Sequence, residues 1–71
     1  MDTSARNQID ATVTSVTLGA VMAEVVMDIG GGVQVVAAIT KDSAERLNLA
    51  AGESVVAVIK ATDVMVGRRE S

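Results

Sequence analysis

Residues 21–39 read VMAEVVMDIGGGVQVVAAI. Val21, Ala23, Val25, Met27 and Ile29 alternate with Met22, Glu24, Val26 and Asp28. A period of two is that of a half-buried strand, because successive side chains on an extended chain point to opposite faces. Gly30-Gly31-Gly32 then supplies a turn that tolerates positive φ, and Val33 to Ile39 resumes the alternation. The stretch therefore predicts a β-hairpin, and a hairpin at the centre of so short a chain makes the fold a sheet.

The flanks extend it in both directions. Upstream, Ile9, Ala11 and Val13 face inward with Asp10, Thr12 and Thr14 outward, until Ser15-Val16 breaks the phase; this predicts a first strand with a bulge or bend, closed by a turn at Leu18-Gly19. Downstream, Thr40-Lys41-Asp42-Ser43 has the character of a helix start, with Thr40 as N-cap and Asp42 in the positively polarised first turn. Ala44 and Leu47 share a face, and Asn48 and Gly52 end the helix after about two turns. Val55 to Ile59 is a near-continuous apolar fourth strand, Asp63 to Val66 a short fifth, and residues 67–71 a polar tail. Five short strands with one short helix between the third and fourth predict an all-β fold, a small OB-like five-stranded β-barrel, in a single domain spanning 1–71.

A barrel of 71 residues lies near the size at which a core alone outweighs chain entropy. With Cys 0 no disulfide can reinforce it, and with His 0 as well no ordinary zinc or transition-metal site can, so the metal-ligating class is set aside. Self-association is the remaining reinforcement, and 49% hydrophobic residues with a mean hydropathy of +0.42 agree with it. No apolar stretch approaches the roughly 18 to 20 residues that cross a bilayer, so no membrane partner is expected. The first residues lack the basic start and apolar core of a secretory signal, which predicts a cytoplasmic protein. A net charge of -3 and an aromatic content of 0% argue against a nucleic-acid partner, which wants a basic surface and stacking platforms. No His, Cys or Tyr is available as base or nucleophile, and the carboxylates form no catalytic motif; the expectation is a protein that is not an enzyme.

What chemistry remains is a set of hydrogen-bond donors: Ser4 and Arg6 in TSARNQ (3–8), Thr40 and Ser43 at the helix start, and Lys60 at the end of the fourth strand. Cations, hydroxyls and the outward N–H groups of a helix start suit a tetrahedral oxyanion. Each residue taken singly has a plainer role: Thr40 as a cap, Ser43 as a helix-start residue, Lys60 as a snorkelling lysine, Arg6 as a solvated tail.

Taken together they carry a resemblance. Ser4-Ala5-Arg6-Asn7-Gln8, Gly19-x-Val21-x-Ala23-Glu24-Val25, the glycine turn, Ala38-Ile39-Thr40-x-x-Ser43, Leu47-x-Leu49-x-x-Gly52 and Ala57-x-Ile59-Lys60-Ala61, in that order and over essentially the whole chain, resemble the molbindins. These are the small molybdenum-pterin-binding (Mop) proteins, whose module also occurs in molybdate transport ATPases and molybdate-responsive regulators. The resemblance implies non-catalytic binding of molybdate or tungstate between subunits of a homohexamer, a trimer of dimers, for intracellular molybdenum storage or homeostasis. It implies an oxyanion site of Ser4, Arg6, Thr40, Ser43, Lys60 and Ala61. Ala61 stands where some related domains carry serine, so it offers a backbone N–H and no hydroxyl. Competing readings are an oligomerisation module with a vestigial anion site, a molybdopterin-cofactor carrier, for which no aromatic stacking residue is present, and a nucleic-acid-binding barrel.

Overall fold

The computed structural model describes residues 1–69. Its elements run β1 (Asn7–Leu18), β2 (Met22–Gly30), β3 (Val33–Thr40), α1 (Lys41–Arg46) and β4 (Ser54–Ile59), followed by a 3-10 turn over Ala61–Asp63. The strands form one antiparallel sheet in the order β3-β2-β1-β4.

The hairpin predicted from residues 21–39 is present. Gly30 pairs with Val33, and Gly31 and Gly32 make the two-residue loop with φ of +63° and +76°. Positive φ at both positions is the primed-turn geometry that matches the right-handed twist of the flanking strands, and glycine adopts it without steric cost. Asp28 secures the turn by accepting a 2.7 Å bond from Gly30 N on its Oδ1.

The phase break in β1 is a bulge. Val13 pairs with Met27 and Ser15 with Val26, leaving Thr14 as the extra residue. Its hydroxyl donates to the Val26 carbonyl at 3.1 Å. On its other side Val13 continues the β4 ladder, with N–H to Glu53 O at 2.9 Å and its carbonyl accepting from Gly52 N at 2.8 Å. The bend lets one 12-residue strand pair with β4 through its first half and with β2 through its second.

The core is small: Ala11, Val13, Val25, Met27 and Ala57 are buried together, with Val13 at 1% and Val25 at 2% the least exposed of them. On central β2 the inward Ala23, Val25 and Met27 are buried, whereas on β3 the inward Val35, Ala37 and Ile39 are only half-buried. Cover is therefore missing on the β3 side.

Three expectations need correction. The fifth strand over Asp63–Val66 is not formed: Asp63 closes the 3-10 turn, and Val64, Met65 and Val66 are 50%, 92% and 96% exposed with no strand assignment. The chain turns at Asp63, whose N–H donates to Lys60 O at 2.9 Å, and the segment that follows pairs with neither edge strand. The expected five-stranded barrel is accordingly a four-stranded sheet among the described residues, with β3 and β4 as its edges. Leu47, expected to share the buried face of Ala44, is 66% exposed. The helix is six residues long, and Leu47 is already its C-cap, followed by Asn48 at φ +53°, so the chain turns away before Leu47 can reach the sheet.

Candidate functional site

The register divides the six candidate residues into two groups. Asn7 pairs with Ile59, which sets Arg6 and Lys60 side by side at the start of β1, with Ser4 just upstream in the arm and Ala61 just past Lys60. At the other end, Leu18 pairs with Ala23 and Met22 with Thr40, which sets Thr40 and Ser43 at the far end of the same strand. Between the two groups lies β1, 12 residues or roughly 36 Å of strand path, in a molecule 39 Å along its longest axis.

The first group stands on an arm that is held to the sheet more firmly than a solvated tail. Ala5 is 6% exposed. Its N–H bonds to Thr3 Oγ1 at 3.2 Å and its carbonyl accepts from Gln8 Nε2 at 3.3 Å. Asn7 Nδ2 donates to the Ile59 carbonyl at 3.1 Å, tying the arm to the end of β4 beside Lys60. With Ala5 turned in, Ser4 and Arg6 on either side of it are exposed, as is Lys60. Ala61 opens the 3-10 turn, so its N–H has no acceptor within that turn.

The second group is built around the start of α1. Thr40, extended at φ −69° and ψ 149°, caps the helix by accepting from Ser43 N at 3.1 Å. Its own hydroxyl donates to Ser43 Oγ at 2.7 Å, and Arg46 Nη2 reaches the same oxygen at 3.4 Å. Ser43 Oγ thus accepts twice, and its proton is free to point outward. The helix start offers fewer free amides than expected, because Lys41 N already donates to Val21 O at 2.7 Å and Ser43 N to Thr40.

Two contributors escape a sequence reading. Asn7 reads as one more polar residue of the arm, yet it is the latch onto β4. Arg46 reads as a cation complementing the helix C-terminus, and its spacing of three from Ser43 on a helix is the one signal that the two side chains meet. Among the described residues no cluster of His, Cys, Asp or Glu is placed to hold a bare metal ion, so what the surface offers an inorganic ligand is donors. Nor is any helix of the described residues long and apolar enough to cross a membrane.

Residues 3–66 match the TOBE domain family. The chain is 48% identical over 66 residues to molybdenum-pterin-binding protein 3 of Clostridium pasteurianum, covering 93% of this chain and 97% of that protein. Among solved structures, a molybdate-binding protein from Sporomusa ovata is similar with a TM-score of 0.88 and 46% identity, covering 96% of this chain and 100% of the other. The cytoplasmic molybdate-binding protein ModG, with molybdate bound, is similar with a TM-score of 0.81 and 51% identity over 86% of this chain and 43% of ModG.

Proposed function

The chain belongs to the TOBE domain family, alongside the molybdenum-pterin-binding proteins, and from that membership we propose that it binds molybdate or tungstate without catalysis, as an intracellular store or buffer of the oxyanion. The observation that carries this reading is the division of its donors. Ser4, Arg6, Lys60 and the Ala61 amide lie at one end of β1 and Thr40 and Ser43 at the other, so a single chain holds two half-sites. Two copies meeting end to end would bring the halves together around one anion, with Arg6 and Lys60 supplying charge and the hydroxyls supplying geometry. The exposed apolar side chains of a small-cored chain support association, and the proposed assembly is a homohexamer, a trimer of dimers. The compartment proposed is the cytoplasm, the one named for the related ModG. A pterin ring would find no aromatic face on this chain, which favours the bare oxyanion over a pterin cofactor.

Isothermal titration with molybdate, tungstate, sulfate and phosphate tests the reading. A pocket made of donors has no acceptor for the O–H of phosphate, which is partly protonated at neutral pH. Sulfate has the right charge but is smaller, so a fixed ring of donors leaves some of its hydrogen bonds long. Molybdate and tungstate are expected to bind far more tightly than either; equal affinity for sulfate overturns the proposed pocket.

A further inference from the structure

Arg46 stands outside the proposed ligand set, yet it touches a member of it. Its Nη2 donates to Ser43 Oγ at 3.4 Å, from one helical turn further along α1, and the Thr40 hydroxyl donates to the same oxygen at 2.7 Å. A serine hydroxyl has one proton and two lone pairs. Thr40 engages one lone pair of Ser43 Oγ and Arg46 the other, so what the hydroxyl has left for a ligand is its proton. With Thr40 alone, one lone pair would stay open, and Ser43 could accept from a ligand as well as donate to it.

We propose that Arg46 is a specificity-determining residue for the anion: by fixing Ser43 as a donor, it favours a fully deprotonated tetrahedral oxyanion over one that carries an O–H. The inference rests on the oxyanion-binding reading above and adds to it a residue that acts through Ser43. Molybdate presents four oxygens that only accept. Phosphate keeps an O–H at neutral pH, and an O–H turned toward a donor-only hydroxyl finds no acceptor, which costs a hydrogen bond. Charge acts in the same place. The side chains of α1 balance Lys41 and Arg46 against Asp42 and Glu45, so loss of Arg46 leaves this half-site with a carboxylate in excess. An anion oxygen accepting from Ser43 lies about 2.7 Å from its Oγ, and therefore no farther than roughly 6 Å from Arg46 Nη2. That is inside the screening length of physiological salt, so the guanidinium acts on the anion as a positioning cation while its bond goes to Ser43.

The test is titration of the whole protein with molybdate, and competition of bound molybdate by inorganic phosphate, in the parent, Arg46→Met and Arg46→Lys. Methionine keeps an apolar stem without charge or N–H; lysine keeps both a charge and a donor. Arg46→Met is expected to weaken molybdate binding roughly tenfold and phosphate binding by less, so that the preference for molybdate falls; Arg46→Lys should restore it. In a Ser43→Ala background Arg46→Met should leave the preference unchanged and cost less molybdate affinity, because the hydroxyl it acts on is gone. Arg46 is exposed and lies in the last turn of α1, so the fold should persist, and denaturant unfolding checks that it does. A purely structural contribution to the helix C-terminus would move the unfolding midpoint and leave the preference alone. The proposal is overturned by an Arg46→Met protein that binds molybdate like the parent, by equal weakening of both anions, by phosphate that still fails to compete in Arg46→Met, or by the same fall in preference when Ser43 is alanine. Each of these leaves the oxyanion reading standing, whereas a parent that binds phosphate as tightly as molybdate removes that reading and this inference together.

Discussion

Thr40 and Ser43 are bonded twice over. Ser43 N–H donates to Thr40 Oγ1 at 3.1 Å, and the Thr40 hydroxyl donates back to Ser43 Oγ at 2.7 Å. Because Thr40 spends its proton on Ser43, the outward donor of the pair is Ser43. The two residues therefore do different work: Thr40 holds the helix start, and Ser43 presents a proton.

That division predicts opposite profiles for two substitutions. Thr40→Ala removes the cap and should cost about 1 kcal/mol of stability. Ser43→Ala keeps the backbone N–H that the cap satisfies, and should cost no more than about 0.5 kcal/mol. Denaturant midpoints for both variants check the order, which the reverse ranking would sink.

A second prediction concerns Gly52, at φ +94°, whose N–H donates to Val13 O at 2.8 Å just beyond the bulge. An added Cβ would meet nothing within 4 Å, so packing does not oppose Gly52→Ala. The backbone does: an L-residue in the left-handed region costs roughly 1 to 2 kcal/mol. Gly67, equally open but without the positive φ, is the control, and Gly67→Ala should be near neutral by thermal unfolding.

Much of the sheet was legible because its signals are local. Alternation over residues 21–39, the glycine loop, the phase break near Ser15 and the Thr40 cap each lie within a few residues of the structure they specify. The fifth strand failed because alternation reports a side chain's preference and says nothing of backbone pairing; Val64-Met65-Val66 pairs with neither edge strand of the sheet. The residues proposed for the anion stand out in the sequence only by type; their separation to opposite ends of β1 follows from register, which pairs residues as distant as Asn7 and Ile59. The helix-start amides were overcounted for the same reason, since the acceptor of Lys41 N is Val21, twenty residues upstream.

The arm yields a third prediction. Asn7 Nδ2 bonds the Ile59 carbonyl, a contact that fastens Ser4 and Arg6 beside Lys60. Asn7→Ala should lower stability by about 0.5 to 1.5 kcal/mol, the net worth of a neutral hydrogen bond. It should also weaken molybdate binding, although Asn7 is not among the proposed ligands. Titration of a variant that unfolds earlier yet binds molybdate like the parent would show that the latch does not position the site.

The fourth prediction separates charge from geometry at the anion. Arg6 is exposed in the single chain and, in the proposed interface, faces an anion withdrawn from water. Losing one charged partner there should cost on the order of 2 to 5 kcal/mol of binding. A neutral hydroxyl such as that of Ser43 should cost roughly 0.5 to 1.5 kcal/mol. Arg6→Ala should therefore weaken molybdate binding much more than Ser43→Ala, with little effect on folding, because its neighbours Ala5 and Asn7 make the contacts that hold the arm. Lys60→Ala should match Arg6→Ala in binding, but Lys60 directly follows β4, so its assembly is measured by sedimentation before its titration is interpreted. An Arg6→Ala protein that keeps the parent's assembly and the parent's affinity for molybdate would make the arm a tether and remove Arg6 from the site.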